Sequence, residues 1–478
     1  MTIQNKYIAL LILLMFAASC QKENYQISQA RMEVNDFVWK GLNAYYLWKD
    51  EIPNLSDNKF DSQSELNDLL DDYPEPSDFF ESLIYDRENI DHWSWIVSDY
   101  IALEKLFQGI RVTSGLHIGL VLEQAGSDNL FAYVKYVAPN SDAERKGMQR
   151  GQLFRKVNGQ QLTKQNYREL FRNSSYDLEL ATWSGAVLAD TGIVKHLEKT
   201  ELAENPVFIK KIIHQNGKNI GYLMYNGFVM NYEQDLLNAF QFFKSENIDE
   251  LILDLRYNPG GSVSTMQSLA SMITGQFEGQ TFLQYKWHQQ LQNWVKLHYP
   301  NTLERKFENK LSNGASFNPL RLNKLYVIAT KSSASASESL INCLDAYIDV
   351  QHIGTETHGK YVASITLYDS PDFSRNNVNT NHQWAMQPIV LKVDNAQGEG
   401  SFINGLTPDI FQAEDYHNMG ELGNETEPLL NRALQAINGV TRPNHSINHF
   451  EEVYYLEQSH QDEMYLPSLP DGLSEVNH

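Results

Sequence analysis

The stretch that decides the fold is KLYVIATKSSASASESLINCLDAY, residues 324–347. An apolar run is followed by five serines between positions 332 and 339, and then by a helical pattern. A strand, a sharp turn of small residues and a helix in this order favour an α/β domain. A serine in such a turn lies at the end of the strand, beside the free N–H donors of a helix start. Those donors suit an oxyanion, so the turn can hold a catalytic serine.

A serine is a weak nucleophile alone, so this hypothesis requires a base elsewhere in the chain. Lys360 follows in the sequence HGK and precedes an apolar run. Burial in apolar surroundings favours the neutral amine, which can accept a proton. His358, two residues earlier, is the alternative base. The simpler interpretation is that Ser335 only caps the helix and that Lys360 lies on the surface.

A possible oxyanion site lies in LILDLRYNPGGSV, where a buried strand ends in Asn258-Pro259-Gly260-Gly261. Paired glycines allow a backbone to approach a substrate closely. The N–H of Gly260 or Gly261, together with that of Ala336, would form a two-donor site. The alternative is an ordinary tight turn. Glu338 is expected to support the start of the helix rather than to transfer protons.

These segments resemble the S41 serine peptidases, the C-terminal processing or tail-specific proteases. The family carries a Ser-Ala-Ser-Glu turn with its nucleophile first, matched by residues 335–338, and a Gly-Lys step 25 residues later, matched by Lys360. DLRYNPGG (254–261) and NGLTPDI (404–410) resemble two further family elements. The resemblance spans about residues 110–412. It implies a Ser335–Lys360 dyad that hydrolyses protein substrates without a metal or another cofactor.

The chain departs from the family at one position. Some members carry Asp eleven residues after the nucleophile, where this sequence has Ala346, with Asp345 just before it. A supporting role for Asp345 is therefore not expected. The segment VWKGLNAYYLWKDE looks like the N-terminal region of Bacteroidetes-type members.

Residues 115–163 resemble a PDZ domain. In SGLHIGL, residues 114–120, the backbone of Gly115, Leu116, His117 and Ile118 would bind the carboxyl terminus of a peptide, and an edge strand would pair with that peptide. Within the same region the pattern predicts a short helix capped by Ser141, a strand over 153–157 and a hairpin at 158–159. The alternative for the SGLHIGL loop is an ordinary turn into a strand, because His117 interrupts the usual apolar pattern.

The expected fold is a multidomain α/β (α+β) protein. The resemblance implies an α/β catalytic core like the ClpP/crotonase fold, with an inserted PDZ-like β domain and an N-terminal helical domain. The predicted divisions are a signal peptide (1–19), a lipidated cysteine and tether (20–30), a helical domain (31–108), a PDZ-like domain (109–199), a catalytic domain (200–415) and a polar C-terminal extension (416–478). No chemistry is assigned to the extension, which is open to interpretation as a solvated tail or as a cap of strands and loops.

The N-terminus predicts export. A short apolar run from residue 8 to 18 ends in small residues before Cys20, which resembles a lipoprotein signal with acylation of Cys20. A plain secretory signal is the alternative. With Cys20 lipidated, Cys343 has no disulfide partner and is expected to be a small core residue. The expected location is the cell envelope, on the periplasmic face of the outer membrane or on the cell surface.

Composition narrows the possible partners. The formal net charge of −22 disfavours nucleic acid and anionic membrane surfaces. The sequence contains no GxxxxGK[ST], HExxH or CxxC motif, which makes nucleotide or zinc chemistry unexpected. The expected partners are protein or peptide substrates, with membrane attachment through the lipid alone. A non-catalytic peptide-binding PDZ lipoprotein is the alternative function, and a surface scaffold lipoprotein is a third.

Overall fold

We describe the protein from a computed structural model. It covers residues 30–185, 187–440, 452–453, 464–469 and 473. The predicted signal peptide and Cys20 lie outside the described residues. Among the residues that the structure covers, no helix is both long and apolar enough to cross a membrane.

The secondary structure alternates between helices and strands along most of the chain. The α-helices are α1 (30–45), α2 (Gln63–Asp71), α3 (Pro76–Ser82), α4 (Tyr100–Phe107), α5 (Asp142–Arg145), α6 (Tyr167–Arg172), α7 (Glu233–Ser245), α8 (Val263–Ile273), α9 (Gln289–His298), α10 (Ala336–Asp345) and α11 (Pro428–Ile437). Short 3₁₀ helices cover Lys49–Glu51, Pro53–Leu55, Met230–Tyr232 and Pro300–Leu303.

The first eleven strands are β1 (Trp95–Val97), β2 (Ile110–Thr113), β3 (Leu116–Leu122), β4 (Leu130–Val137), β5 (Leu153–Val157), β6 (Gln160–Gln161), β7 (Ser175–Ser184), β8 (Val187–Glu198), β9 (Thr200–Ala203), β10 (Val207–Gln215) and β11 (Lys218–Tyr225). The others are β12 (Glu250–Asp254), β13 (Thr281–Trp287), β14 (Glu304–Lys306), β15 (Lys324–Ala329), β16 (Asp349–Gly354), β17 (Val362–Ile365), β18 (Leu367–Tyr368), β19 (Ala385–Gln387), β20 (Ile389–Asn395), β21 (Ile410–Phe411), β22 (Glu452–Val453) and β23 (Tyr465–Leu466).

A six-stranded sheet positions the candidate site. Its order is β10-β11-β12-β15-β16-β21, and every pairing is parallel except that of β10 with β11. Successive side chains of β12 point to opposite faces: Leu251 and Leu253 belong to the main core, which includes α7, α8 and α10, and Ile252 packs on the other face with α11. Burial on both faces explains why this strand is an uninterrupted apolar run.

The N-terminal helices share the main core. Phe37 and Leu42 of α1 belong to the same buried cluster as Leu253 of the six-stranded sheet and Phe373. Strand β1 also pairs with β19 in a three-stranded sheet. The segment predicted as a helical domain therefore packs as a layer on the core of the six-stranded sheet, because that core covers its apolar faces.

A second core lies within a β domain between residues 110 and 203. Its main sheet has the order β22-β3-β4-β5-β7-β8. The predicted helix is present as α5, where the hydroxyl of Ser141 accepts the N–H of Glu144 at 3.1 Å. The strand β5 is also present, and so is the turn at Asn158-Gly159, where both residues have positive φ. These local predictions are confirmed.

Part of the C-terminal extension is structural. Helix α11 buries Leu429, Leu430 and Leu434 against the six-stranded sheet. Its N-cap, Glu427, accepts two hydrogen bonds from the buried guanidinium of Arg256, at 2.6 and 2.9 Å, and Arg256 also donates to Asp254 at 2.7 Å. Over α11 the extension is therefore neither a solvated tail nor a surface cap. This stretch is an amphipathic helix whose N-cap carboxylate, Glu427, binds the buried guanidinium of Arg256.

The buried contacts of Arg256 with Glu427 and Asp254 predict that this arginine contributes strongly to stability. We expect Arg256→Ala to lower the free energy of unfolding by about 3–5 kcal/mol, because two buried carboxylates lose their partner. The partly exposed pair Lys218–Glu250 is the control, and Lys218→Ala should cost less than about 1 kcal/mol. Urea unfolding midpoints of the three proteins provide the measurement. Equal midpoints for Arg256→Ala and Lys218→Ala would contradict the expectation.

Candidate active site

The serine-rich turn connects the end of β15 to the start of α10. Ser335 occupies the N-cap position and is fully buried. Its backbone has φ +62°, a left-handed conformation that costs a non-glycine residue about 1–3 kcal/mol. Such strain persists only where surrounding contacts determine the backbone. The contacts of Ser335 therefore show what holds the turn in place.

The strongest of these contacts is the carboxylate of Glu338, one turn into α10. Its Oε2 accepts the N–H of Ser335 at 2.8 Å and the N–H of Lys360 at 2.9 Å. Its Oε1 accepts the N–H of Gly359 at 2.6 Å and the hydroxyl of Thr357 at 2.5 Å. One buried carboxylate thus joins the serine turn to the loop that carries the lysine. This matches the structural role that the sequence predicts for Glu338.

Burial controls the protonation of that carboxylate. Removal from water raises the pKa of Glu338 to about 7, and the four hydrogen bonds only partly oppose this effect. Near neutral pH the group therefore titrates between a carboxyl that can itself donate and a carboxylate that only accepts.

Lys360 lies in the loop that Glu338 holds. Its side chain is 2% exposed, and its Nζ lies 5.8 Å from the centre of the Trp93 ring. The preceding residue, Gly359, has φ +105°, and a Cβ at this position would lie 2.2 Å from the carbonyl oxygen of Ile403. Only glycine fits here. Lys360 is therefore buried, as the dyad hypothesis requires, and the alternative of a surface lysine is wrong.

The loop after β12 lies against the serine turn. The hydroxyl of Ser337 donates to the carbonyl of Asn258 at 2.8 Å, and the hydroxyl of Ser333 donates to that of Leu255 at 2.7 Å. The N–H of Ala334 also donates to Asn258, at 3.1 Å. Neighbouring serines of the run thus attach the turn to the glycine loop, which leaves Ser335 for another role.

The two glycines of this loop differ in what they can offer. The N–H of Gly260 donates to the side chain of Asn258 at 2.9 Å, so it is already engaged. The N–H groups of Gly261 and Ala336 have no acceptor among the described residues. Gly261 has φ +129°, and a Cβ there would lie 2.4 Å from the carbonyl oxygen of Phe228. Of the three predicted oxyanion donors, Gly261 and Ala336 therefore keep N–H groups that the described residues do not engage, and the N–H of Gly260 is engaged by Asn258.

His358, the alternative base, is a poor proton acceptor here. Burial, reinforced by the charge of Lys331, lowers the pKa of His358 to about 4. Its backbone N–H donates to the carbonyl of Ser333 at 3.0 Å. These contacts give His358 a place in the loop that supports the serine turn.

Two further residues were considered in the sequence. Cys343 is fully buried on α10, where burial raises the pKa of its thiol, so it is a core residue as predicted. Asp345 ends the same helix with an exposed side chain.

The predicted peptide-binding loop begins β3. The N–H groups of Gly115 and Leu116 donate to the hydroxyls of Thr113 at 3.0 Å and Ser114 at 3.4 Å. His117 pairs with Glu204, with 2.8 Å between Nε2 and Oε2. Ile118 is buried in the core of the β domain. Local contacts thus engage the N–H groups of Gly115 and Leu116, and β22 pairs with Leu120 and Val121 of β3.

A cavity connects the β domain with the catalytic loop. It has a volume of about 220 Å³. Its lining includes His117 and Glu204 on one side, Gly260 and Gly261 on the other, and Tyr465 from the C-terminal extension. The cavity therefore reaches from the β domain to the glycine loop.

The sequence analysis missed one partner of Ser335. The hydroxyl oxygen of Ser335 accepts the N–H of Met464 at 2.6 Å. Met464 lies in the polar extension, to which no chemistry was assigned. The one local signal is the short apolar run MYL, residues 464–466, within a strongly acidic tail.

Within the residues that the structure covers, no group of three or more His, Cys, Asp or Glu side chains could hold a metal ion.

The candidate site consists of the serine turn, the lysine loop, the glycine loop and residues 464–466.

The raised pKa of Glu338 predicts a pH-dependent stability. The pKa of Glu338 is about 7 in the folded state and about 4.3 in the unfolded state, so the folded state binds more protons between these two pH values. The free energy of unfolding therefore falls as the pH rises through about 7. We expect the parent to lose about 2–3 kcal/mol more than Glu338→Gln between about pH 5 and about pH 8. Urea midpoints at both values test this, with Glu356→Gln, an exposed nearby carboxylate, as the control for loss of a charge. A stability difference independent of pH would contradict the assignment.

Comparison with known proteins agrees with the geometry. Residues 219–410 match the model of peptidase family S41, and residues 33–95 match that of the peptidase S41 N-terminal domain. A carboxyl-terminal-processing protease of Picosynechococcus is 24% identical over 248 residues, which are 52% of each chain. A probable CtpA-like serine protease of Staphylococcus epidermidis is 22% identical over 71% of this chain and 59% of its own. The chain thus spans between half and three fifths of these relatives.

Two solved structures have the same fold. A structure described as an S41 protease from Bacteroides fragilis superposes with a TM-score of 0.63 at 26% identity, over 85% of this chain and 97% of that one. The photosystem II D1 C-terminal processing protease superposes with a TM-score of 0.50 at 16% identity, over 84% and 99%. The mixed α/β fold predicted from the sequence is therefore confirmed. With the family match over the catalytic sheet and over the N-terminal layer, the chain belongs to peptidase family S41.

Proposed function

We propose that this protein is a serine endopeptidase that hydrolyses peptide bonds of protein substrates with Ser335 as the nucleophile and Lys360 as the general base. The observation that carries the proposal is that one buried carboxylate, Glu338, binds the backbone of both residues. The backbones of two residues far apart in sequence are thereby held by one carboxylate, and both residues are buried. Membership of family S41 supports the same reaction class.

The reaction follows from the positions of the donors. The neutral amine of Lys360 takes the proton of Ser335, whose oxygen attacks the peptide carbonyl. The N–H groups of Gly261 and Ala336 stabilise the negative charge on the carbonyl oxygen. Lys360 then protonates the leaving amine, and water hydrolyses the acyl-enzyme. No metal or organic cofactor takes part in this scheme.

Substrate recognition is proposed to involve the PDZ-like domain. Its strand β3 accepts another strand at its edge, as the pairing with β22 illustrates, and strand addition is a common mode of peptide recognition. The same observation favours the second candidate function, a peptide-binding lipoprotein that does not cleave. The presence of Ser335 and Lys360 in one buried site argues for catalysis.

The first test is cleavage of an unfolded protein such as casein by residues 21–478. Ser335→Ala and Lys360→Met should each lower the rate at least about 10³-fold, because residues that act as one catalytic unit fail together. The matched controls are Ser339→Ala, a buried serine on the same helix, and Lys392→Met, whose Nζ also lies 5.8 Å from an aromatic ring. Both controls should cleave at the parental rate.

The controls separate the candidate functions. If Ser335→Ala cleaves as fast as the parent, the nucleophile is another residue. If the parent cleaves no unfolded substrate but binds C-terminal peptides, the protein is a binding module.

We also propose that the protein is exported and anchored in the cell envelope through a lipid on Cys20. In bacterial cells, Cys20→Ala should lose incorporation of labelled fatty acid and should move from the detergent phase to the aqueous phase of an extraction, because one acylated cysteine supplies the attachment. Cys343→Ala, a buried thiol, is the control and should partition as the parent does. Unchanged partitioning of Cys20→Ala would contradict the anchor.

A further inference from the structure

The C-terminal extension passes through the candidate active site. Besides the contact of Met464 with Ser335, the carbonyl of Met464 accepts the N–H of Ser364 at 3.0 Å. The N–H of Tyr465 donates to the carbonyl of Gly261 at 3.2 Å. Strand β23 pairs in parallel with β17 on one side, and Tyr465 forms a parallel bridge with Ser262 on the other. The segment thus lies as an extended strand between the lysine loop and the glycine loop.

This arrangement presents a peptide to the nucleophile in an unproductive way. A peptide N–H lies in the plane of its amide, so an oxygen that accepts it lies near that plane, on the nitrogen side. Nucleophilic attack requires approach to the face of a carbonyl carbon. The segment therefore occupies the position of a substrate strand while it withholds a carbonyl from Ser335.

The contacts of the segment alternate along its length. Met464 and Leu466 are 0% and 1% exposed and belong to the main core. Tyr465, between them, stacks on Phe107 with 4.2 Å between ring centres and lines the 220 Å³ cavity. An extended strand directs successive side chains to opposite sides, so the cleft accepts apolar side chains at alternate positions and an aromatic ring between them.

A second part of the same extension occupies the PDZ-like domain. Glu452 and Val453 pair antiparallel with Val121 and Leu120 of β3, and Val453 packs against the core of that domain. The edge of β17 and the Leu120–Val121 part of the edge of β3 are therefore both paired with residues of the C-terminal extension.

We propose that residues 464–469 form an internal competitor that occupies the substrate cleft, and that the peptides that displace it are extended segments with apolar side chains at alternate positions. This inference rests on the proposed function for the identity of the cleft. An intramolecular competitor lowers apparent substrate affinity by the fraction of molecules in which the cleft is open, and leaves the chemical step unchanged. Weakening the segment should therefore lower KM and leave kcat unaltered.

Kinetics of the full-length protein test the competition. Met464→Pro removes the N–H that Ser335 accepts, and Met464→Ala/Leu466→Ala removes the buried side chains that hold the segment. Each should lower the KM for casein up to about tenfold at constant kcat, if the cleft of the parent is closed about nine times in ten. Ser468→Ala, an exposed position in the same segment, should behave as the parent does. A raised KM or a reduced kcat in both variants would show that the segment is a structural part of the site and would overturn the proposal.

A binding measurement separates this inference from the proposed catalysis. The probe is a fluorescent peptide of residues 459–469, SHQDEMYLPSL, titrated against full-length Lys360→Met with and without Met464→Ala/Leu466→Ala. The variant with the weakened segment should bind the probe up to about tenfold more tightly, and a scrambled peptide should bind neither protein. Equal affinities, or no binding to either protein, would overturn the inference. If no protein cleaves casein but the affinities differ as expected, the internal competitor stands and the catalytic proposal fails.

Discussion

The site depends on one buried carboxylate. Glu338 accepts hydrogen bonds from Ser335, Thr357, Gly359 and Lys360, which lie in the loops that follow the adjacent parallel strands β15 and β16. A fully buried carboxylate with fewer partners would be costly, so its presence requires that both loops stay in place. It also offsets the unfavourable backbone of Ser335, which no local propensity would select. The geometry of nucleophile and lysine is thus a consequence of satisfying one acceptor.

A second set of buried charges connects the β domain to this core. Arg150 of the β domain donates to Glu414 at 2.7 Å and to the hydroxyl of Tyr257 at 2.5 Å, next to the glycine loop. Although burial alone would raise it, the guanidinium groups of Arg150 and Arg256 hold the pKa of Glu414 below its ordinary value. Movement of the β domain would separate these charges in a region with little water. The glycine loop, the β domain and the C-terminal extension are therefore mechanically linked.

The occupied cleft gives the extension a physical role beyond packing. A strand that pairs with β17, bridges to Ser262 and contacts Ser335 leaves that serine buried. The same extension also pairs with β3. Under the proposed competition, a substrate strand would reach the site by displacing residues 464–469.

Several features follow from the sequence alone because they are local. The strand, turn and helix around Ser335, the cap at Ser141 and the glycine loop each depend on residues a few positions apart, and the motif spacing identified the family. Other features depend on contacts between distant segments, which no periodicity records. The four partners of Glu338, the engagement of Gly260 by Asn258, the burial of α11 and the contact of Met464 with Ser335 are of this kind. An acidic C-terminal sequence is expected to be solvated, because charged residues dominate its composition. Only the tertiary structure decides that its few apolar residues enter the core and bring a backbone N–H to the serine.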